Sequence, residues 1–231
     1  METSLHRQLK TLYAGADGVC EVVLGQHRID VVRRRKLYEI QHGSLAAIRR
    51  KVAILLESHS VVVVKPIVVD KQIVQLDRRD GTVVRRRLSP AHGRMLDLFD
   101  ELVYFTRVFP HRRLTLEFPL VSVEETRYPG HGRRRRWRAN DFIVADQRMV
   151  EIGESRQIRT AADLWSLFPP QLASPFDTAC LARHLGVPRR FAQRIAYCLL
   201  HCGSAVQVGK QGNARLFEAV RVKSRRRTRA A

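Results

Sequence analysis

Residues 19–41 read VCEVVLGQHRIDVVRRRKLYEIQ, and the way this stretch folds back on itself decides the architecture around it. Three β-prone runs, CEVVL, HRIDVV and KLYEIQ, are separated by two short breaks. A Gly-X pair is a favoured two-residue hairpin turn. With the first turn at Gly25-Gln26, facing positions sum to 51 and Glu21 meets Asp30. With the second at Arg34-Arg35, or as a four-residue turn over Arg33 to Lys36, they sum to 69 and Asp30 meets Glu39. These are the only acids between residues 18 and 56.

The three carboxylates are therefore expected in one row on one face of three adjacent strands, with neighbours ~5 Å apart at Cβ. Like charges so placed repel, and burial among such apolar strands is costly without a counter-ion. A divalent cation resolves the conflict, because Mg²⁺ (or Mn²⁺) takes carboxylate ligands. Alternation places Gln41 and Arg28 on that face, beside Glu39 and Asp30. The competing reading is a solvated sheet face neutralised by surrounding arginines, and a single bulge would break the alignment.

Working outward, Leu5 to Tyr13 reads as a short amphipathic helix. Ser44 caps a helix through about Glu57, with Leu45, Ile48, Val52, Leu55 and Leu56 at helical spacing. The apolar run Val61 to Val64, continuing through Pro66 to Val69, reads as strand covered on both faces. Strand 36–41, helix 44–57 and strand 60–65 then form a βαβ crossover, and the element order is α-β-β-β-α-β. Over 72–158 we expect a helix from His92 to Phe105 and strands at Leu114 to Thr126, Trp137 to Val144 and Met149 to Ile152. A loop beginning Pro129-Gly-His-Gly-Arg joins two of them. This stretch reads as an extension of the first sheet or a small α+β layer.

Asp30, eight residues of hairpin and then Glu39-Ile40-Gln41 ahead of a helix resembles the core of the PD-(D/E)XK nucleases, over residues 4–69. The resemblance implies that Asp30 and Glu39 hold Mg²⁺ with help from the Ile40 carbonyl, with Glu21 as an auxiliary carboxylate. Many members place that acid on the first helix instead. Gln41 stands where the pattern usually has Lys. Some members do carry Glu-x-Gln, but Gln supplies neither positive charge nor a proton, and Lys36 or Arg28 would have to provide the missing cation. The implied reaction is phosphodiester hydrolysis by a metal-activated water.

In the last third, Thr160 caps a helix through Phe168 and Asp177 or Thr178 caps another through Leu185. Gly186 ends it, and Pro188 opens a third running to His201. Ala205 to Val208 and Arg215 to Val220 flank the turn Gly209-Lys-Gln-Gly-Asn. Three helices and a hairpin make a winged helix, with Phe191, Ile195, Cys198, Leu199 and Cys202 buried. Arg190, Gln193, Arg194, Tyr197 and His201 would face a major groove, and Lys210 and Arg215 in the wing would reach the backbone or a minor groove. Trp137 and Trp165 read as core anchors. The four cysteines have no zinc spacing and read as buried thiols in a reducing compartment. His6, His42, His59 and His92 read as ordinary surface or core histidines.

Charge supports a polyanionic partner. The chain has 231 residues with 42 Lys and Arg against 22 Asp and Glu, a net +20. Much of the excess lies in arginine runs at 33–35, 85–87, 133–136 and the 221–229 tail. No apolar stretch reaches membrane-spanning length, and the N-terminus METSLHRQLK lacks a signal peptide's apolar core. The expectation is a cytoplasmic α/β (α+β) protein that binds DNA, without a membrane partner, and a homodimer would suit double-strand cleavage. Its parts are a PD-(D/E)XK-like core (1–75), a β-rich extension (76–158), a winged helix (159–220) delivering duplex to Asp30 and Glu39, and a disordered basic tail (221–231). The alternative keeps the fold and drops the chemistry, leaving a DNA-binding regulator or scaffold, and RNA is not separable from DNA as the target.

Overall fold

Two tight turns set the register of the N-terminal sheet. Gly25 adopts φ 58°, and Arg34 and Arg35 adopt φ 48° and 59°, the paired left-handed residues of a type I′ hairpin turn. Around them lie β1 (Val19–Leu24), β2 (His27–Arg33) and β3 (Lys36–Ile40). Val22 faces Ile29 and Cys20 faces Val31, so Glu21 stands opposite Asp30. Val31 faces Tyr38 and Arg33 faces Lys36, so one further step along this register brings Asp30 to Glu39. Both turns and both sums are as expected.

The computed structural model describes residues 2–130 and 141–220. The arginine run at 133–136, Trp137 and the 221–231 tail lie outside them. The chain divides into two compact units, Met1–Leu98 with Arg113–Gln157, and Phe99–Arg112 with Ile158–Ala231.

In the first unit, α1 (Ser4–Ala14) is capped by Thr3, whose hydroxyl accepts the His6 N–H. Leu5, Leu9 and Ala14 of α1 pack on Val31, Ile40, Val62 and Val64 of the sheet. Alternation leaves Val61 and Val63 for the opposite face, where α2 (Arg49–Leu56) contributes buried Val52, Leu55 and Leu56. The Ser44 hydroxyl accepts the Ala46 N–H, and a 3₁₀ turn over Leu45–Ile48 leads into α2. Beyond it, β4 (Ser60–Val64) runs parallel to β3. The order α-β-β-β-α-β with its parallel crossover is observed.

The stretch beyond residue 75 continues the first sheet. β5 (Ile67–Leu76), β6 (Val83–Leu88), β7 (Leu114–Pro129) and β8 (Phe142–Ile158) complete one eight-stranded mixed sheet, ordered β1-β2-β3-β4-β7-β5-β6, with β8 also on β7. β4 pairs with β7 at Leu114–Glu117 and β5 pairs with it from Leu120 to Arg127. Lys65 and Pro66 thus carry the chain across β7. Pro119, which has no N–H to give, lies where β7 changes partner. The helix expected from His92 shrinks to a 3₁₀ turn at Met95–Asp97 and α3 (Leu98–Leu102). Ser89 and Gly93 donate their N–H groups to the Lys71 and Val68 carbonyls, which ties the preceding segment to β5 in extended form.

In the second unit, a 3₁₀ helix over Ala161–Leu167 replaces the α-helix expected after Thr160, opened by a Thr160–Asp163 capping box. The Asp177 carboxylate accepts the Cys180 N–H at 2.7 Å and starts α4 (Thr178–Leu185), which Gly186 ends in the left-handed region at φ 62°. Pro188 precedes α5 (Arg189–His201). The hairpin β9 (Ala205–Gln211) and β10 (Ala214–Ala219) turns at Gly212-Asn213, so Lys210 lies within β9 as the cross-strand partner of Arg215. Phe176 and Phe217 exchange backbone hydrogen bonds as an isolated antiparallel bridge on β10. Trp165 is half-buried among aromatic neighbours. It packs edge-on to Phe168 and Phe176, and its indole N–H donates to the Ser204 carbonyl at 2.9 Å. Cys198 and Cys202 are buried thiols, and burial pushes the Cys202 pKa up to about 12. Among the described residues no helix is long and apolar enough to cross a membrane.

Candidate functional site

The acidic row forms in register. Glu21 adopts φ 60°, a conformation that L-residues other than Gly seldom take, and this interrupts the alternation of β1. Its carboxylate is held by Lys10 of α1 and by Arg28 of β2. Glu39 is held by the Lys51 ammonium of α2, 2.6 Å from its Oε2. Asp30 sits between, its Oδ2 accepting the Ile40 N–H at 2.7 Å and its Oδ1 3.3 Å from His6 Nε2. Among the described residues no three His, Cys, Asp or Glu side chains converge as a metal-binding group. Glu21 lines the same cleft as Asp30, with its carboxylate taken up by Lys10 and Arg28.

Glu39 is the chemically unusual member. It is 3% exposed, and its Oε1 is buried with no hydrogen-bond partner among the described residues. Burial pushes its pKa up to about 7, against the opposing pull of Lys51. Burial also acts to raise Asp30, but hydrogen bonds from His6 and the Ile40 N–H outweigh it and hold that carboxyl below its usual range. Two adjacent carboxyls are thereby driven apart in acidity. In an extended strand the C=O lies on the same edge as the N–H of its residue, so the Ile40 carbonyl is directed to the edge that Asp30 occupies. An orphaned buried carboxylate oxygen, an ionised neighbour and a backbone carbonyl fit a hard divalent cation such as Mg²⁺.

An open cleft of about 500 Å³ lies against this site, lined among others by Glu2, His6, Lys10, Arg28, Asp30 and Gln41. Gln41 is in the cleft as expected, with its side-chain amide donating to the Ser44 carbonyl at 3.0 Å. Neither Lys36 nor Arg28 supplies the cation that Gln41 lacks. Lys36 is exposed at the hairpin end of β3 and Arg28 is committed to Glu21, whereas Lys51 reaches Glu39. Lys51 and the α1 pair His6 and Lys10 were not legible as site residues in the sequence. The signal available for the pair was its spacing of four on α1, which puts both on one helix face.

In the second unit, a groove of about 340 Å³ runs between α5 and the hairpin. Arg189, Gln193, Tyr197 and His201 line it at a spacing of four, with Asn213 and Arg215 across from them. Tyr197 and His201 stack with ring centroids 3.8 Å apart. Gln193, Tyr197 and His201 are exposed on α5, and Arg215 is exposed on β10. Arg190 and Lys210 are exposed but off the groove, and Arg194 is turned into an ion pair with Asp100. The stripe at 189, 193, 197 and 201 follows the helical repeat, which carries position 194 round toward Asp100.

Residues 3–159 match the family model described as "Domain of unknown function (DUF8091)". The chain belongs to this family. The DUF8091 match contains Asp30, Glu39, Gln41 and Lys51 and ends beside Gln157, where the first unit ends. The groove of α5 lies beyond it. An uncharacterized protein of Treponema pallidum (strain Nichols) is 27% identical over 218 residues, covering 94% of this chain and 84% of that protein. The resemblance to it therefore continues through the second unit. No solved structure matches the chain.

Proposed function

We propose that this chain is a DNA-binding protein with a PD-(D/E)XK-like cleft that hydrolyses phosphodiester bonds with Mg²⁺ or Mn²⁺. The observation that carries the reading is the buried, unpartnered Glu39 Oε1 beside an ionised Asp30, which itself lines an open cleft with Ile40 and Gln41. Asp30, Glu39 and the Ile40 carbonyl would hold the cation, which when bound activates water and neutralises charge building on the phosphate oxygens. Lys51 offsets the Glu39 charge from the α2 side and takes the electrostatic part that Gln41 leaves open. His6 orients Asp30 through its Nε2. Gln41 accepts or donates a hydrogen bond to a water but holds no proton to transfer.

The helices and hairpin of the second unit support a winged-helix reading. The Phe176 bridge ties the segment before α4 to β10, and the exposed stripe of α5 offers Arg189, Gln193, Tyr197 and His201 to a duplex. The hairpin adds Arg215 beside Lys210 for phosphates. One observation favours the alternative of an inactive DNA-binding regulator: Gln41 is engaged with the Ser44 carbonyl and Lys51 already neutralises Glu39.

Nicking of supercoiled plasmid by the full chain with Mg²⁺ or Mn²⁺, beside Asp30→Ala and Glu39→Ala, separates the two. Cleavage by the wild type alone, abolished by EDTA, is the expected result. Equal trace cleavage by all three proteins, together with tight salt-sensitive binding, would replace the nuclease with the regulator. A labelled RNA of the same sequence in the same assay decides between DNA and RNA as substrate.

A further inference from the structure

A second concavity of about 690 Å³ opens on the other side of Lys51, between the β1–β2 turn and α2. Its floor is apolar, formed by Leu24, Ile54 and Leu55, and its polar lining is Gln26, His27, Arg50, Lys51, Ser58 and His59, with no carboxylate. This contrasts with the neighbouring cleft, where Glu2, Glu21 and Asp30 stand among the cations. Arg50 is exposed and has no acidic partner among the described residues. The Ser58 hydroxyl lies 2.7 Å from His59 Nδ1. With that hydroxyl donating, the imidazole carries its proton on Nε2, a hydrogen-bond donor.

Lys51 ties the two concavities together. Its ammonium bonds Glu39 and the Arg28 carbonyl while it lines the second one. A concave site with cationic and imidazole donors over an apolar floor suits an anionic phosphate attached to a less polar body.

We propose that this concavity is a phosphodiester subsite that holds one phosphate of the DNA strand. Arg50 and His59 donate to its oxygens, and Leu24 and Ile54 take the attached sugar. The proposal rests on the nucleic-acid reading above, but its test does not require cleavage.

The full-length protein is treated with phenylglyoxal, with and without a saturating short DNA duplex in Ca²⁺, and Arg50 modification is followed by mass spectrometry. The duplex is expected to protect Arg50 several-fold, while inorganic phosphate at the same phosphate concentration protects it weakly. Equal protection by free phosphate would overturn the strand subsite in favour of a small-anion site. Unchanged labelling of Arg50 at saturating duplex would overturn the proposal outright.

The second measurement is duplex affinity against salt for Arg50→Ala with His59→Ala. Each lost phosphate contact lowers the slope of log K against log salt by ~0.9, so the double variant should lose about one contact from Arg50 and bind at least several-fold more weakly at low salt. An identical slope and affinity in a folded double variant would refute the subsite. Loss of nicking in Asp30→Ala with Arg50 still protected would leave both readings standing. Arg50 protection without any nicking by the wild type would keep the subsite and remove only the nuclease.

Discussion

Replacing Glu39 by Gln should stabilise the metal-free protein at alkaline pH and have little effect at acid pH. In the folded chain the Glu39 carboxyl titrates at about 7, against an ordinary value of 4.5, because burial opposes its charge. Between those values the folded protein keeps a proton that the unfolded chain has released. The neutral carboxyl is thus accommodated below 4.5, and stability is lost as pH rises through 7. At about 1.4 kcal/mol per pH unit, the interval amounts to about 3 kcal/mol once both forms are ionised. Gln keeps the shape and an acceptor for Lys51 but carries no charge, so it removes this cost. Urea denaturation in EDTA, followed by far-UV circular dichroism, should show Glu39→Gln more stable by about 3 kcal/mol at pH 8.5 and by under about 1 kcal/mol at pH 5. A pH-independent difference, or a variant less stable than wild type at pH 8.5, would refute the reasoning. The latter would mean that the Lys51 ion pair outweighs burial. The same variant should lose any metal-dependent nicking, which would mark Glu39 as a residue retained at the expense of stability.

Other expectations concern the second unit. Tyr197→Ala and Gln193→Ala should weaken DNA binding, each by ~1 kcal/mol or more in an anisotropy titration. Arg194→Ala should leave that affinity nearly unchanged, since its guanidinium is paired with Asp100. Equal losses from all three would show that Arg194 leaves Asp100 to reach the duplex. Gly186→Ala should cost ~1 kcal/mol in thermal unfolding, because Gly186 sits at φ 62° in open space where strain alone acts. Asp177→Ala should cost a similar ~1 kcal/mol through the lost cap of α4, and Asp177→Asn should recover most of it.

What the sequence determined by itself was local. Two-residue turns admit few geometries, so Gly25-Gln26 and Arg34-Arg35 were enough to predict which strand positions face each other. Ser44, Asp177 and Gly186 marked helix ends because their side chain, or its absence, acts within four residues. The placement of Asp30 beside Glu39 follows from those same turns.

What the tertiary structure decided depends on residues far apart in the chain. β7 lies between β4 and β5 although it begins 38 residues after β5 has ended (76 to 114), and no local pattern encodes that insertion. Phe99–Arg112 joins the second unit because its aromatics find partners such as Phe168 beyond residue 157. Glu21 takes a left-handed backbone conformation that strand alternation does not anticipate, and its carboxylate goes to Lys10 and Arg28. Lys51 becomes part of the site only when α2 folds back over the sheet. A short-range hydrogen-bonded turn is specified by the few residues in it, whereas a charge meeting its partner across two elements is set by how the whole core packs.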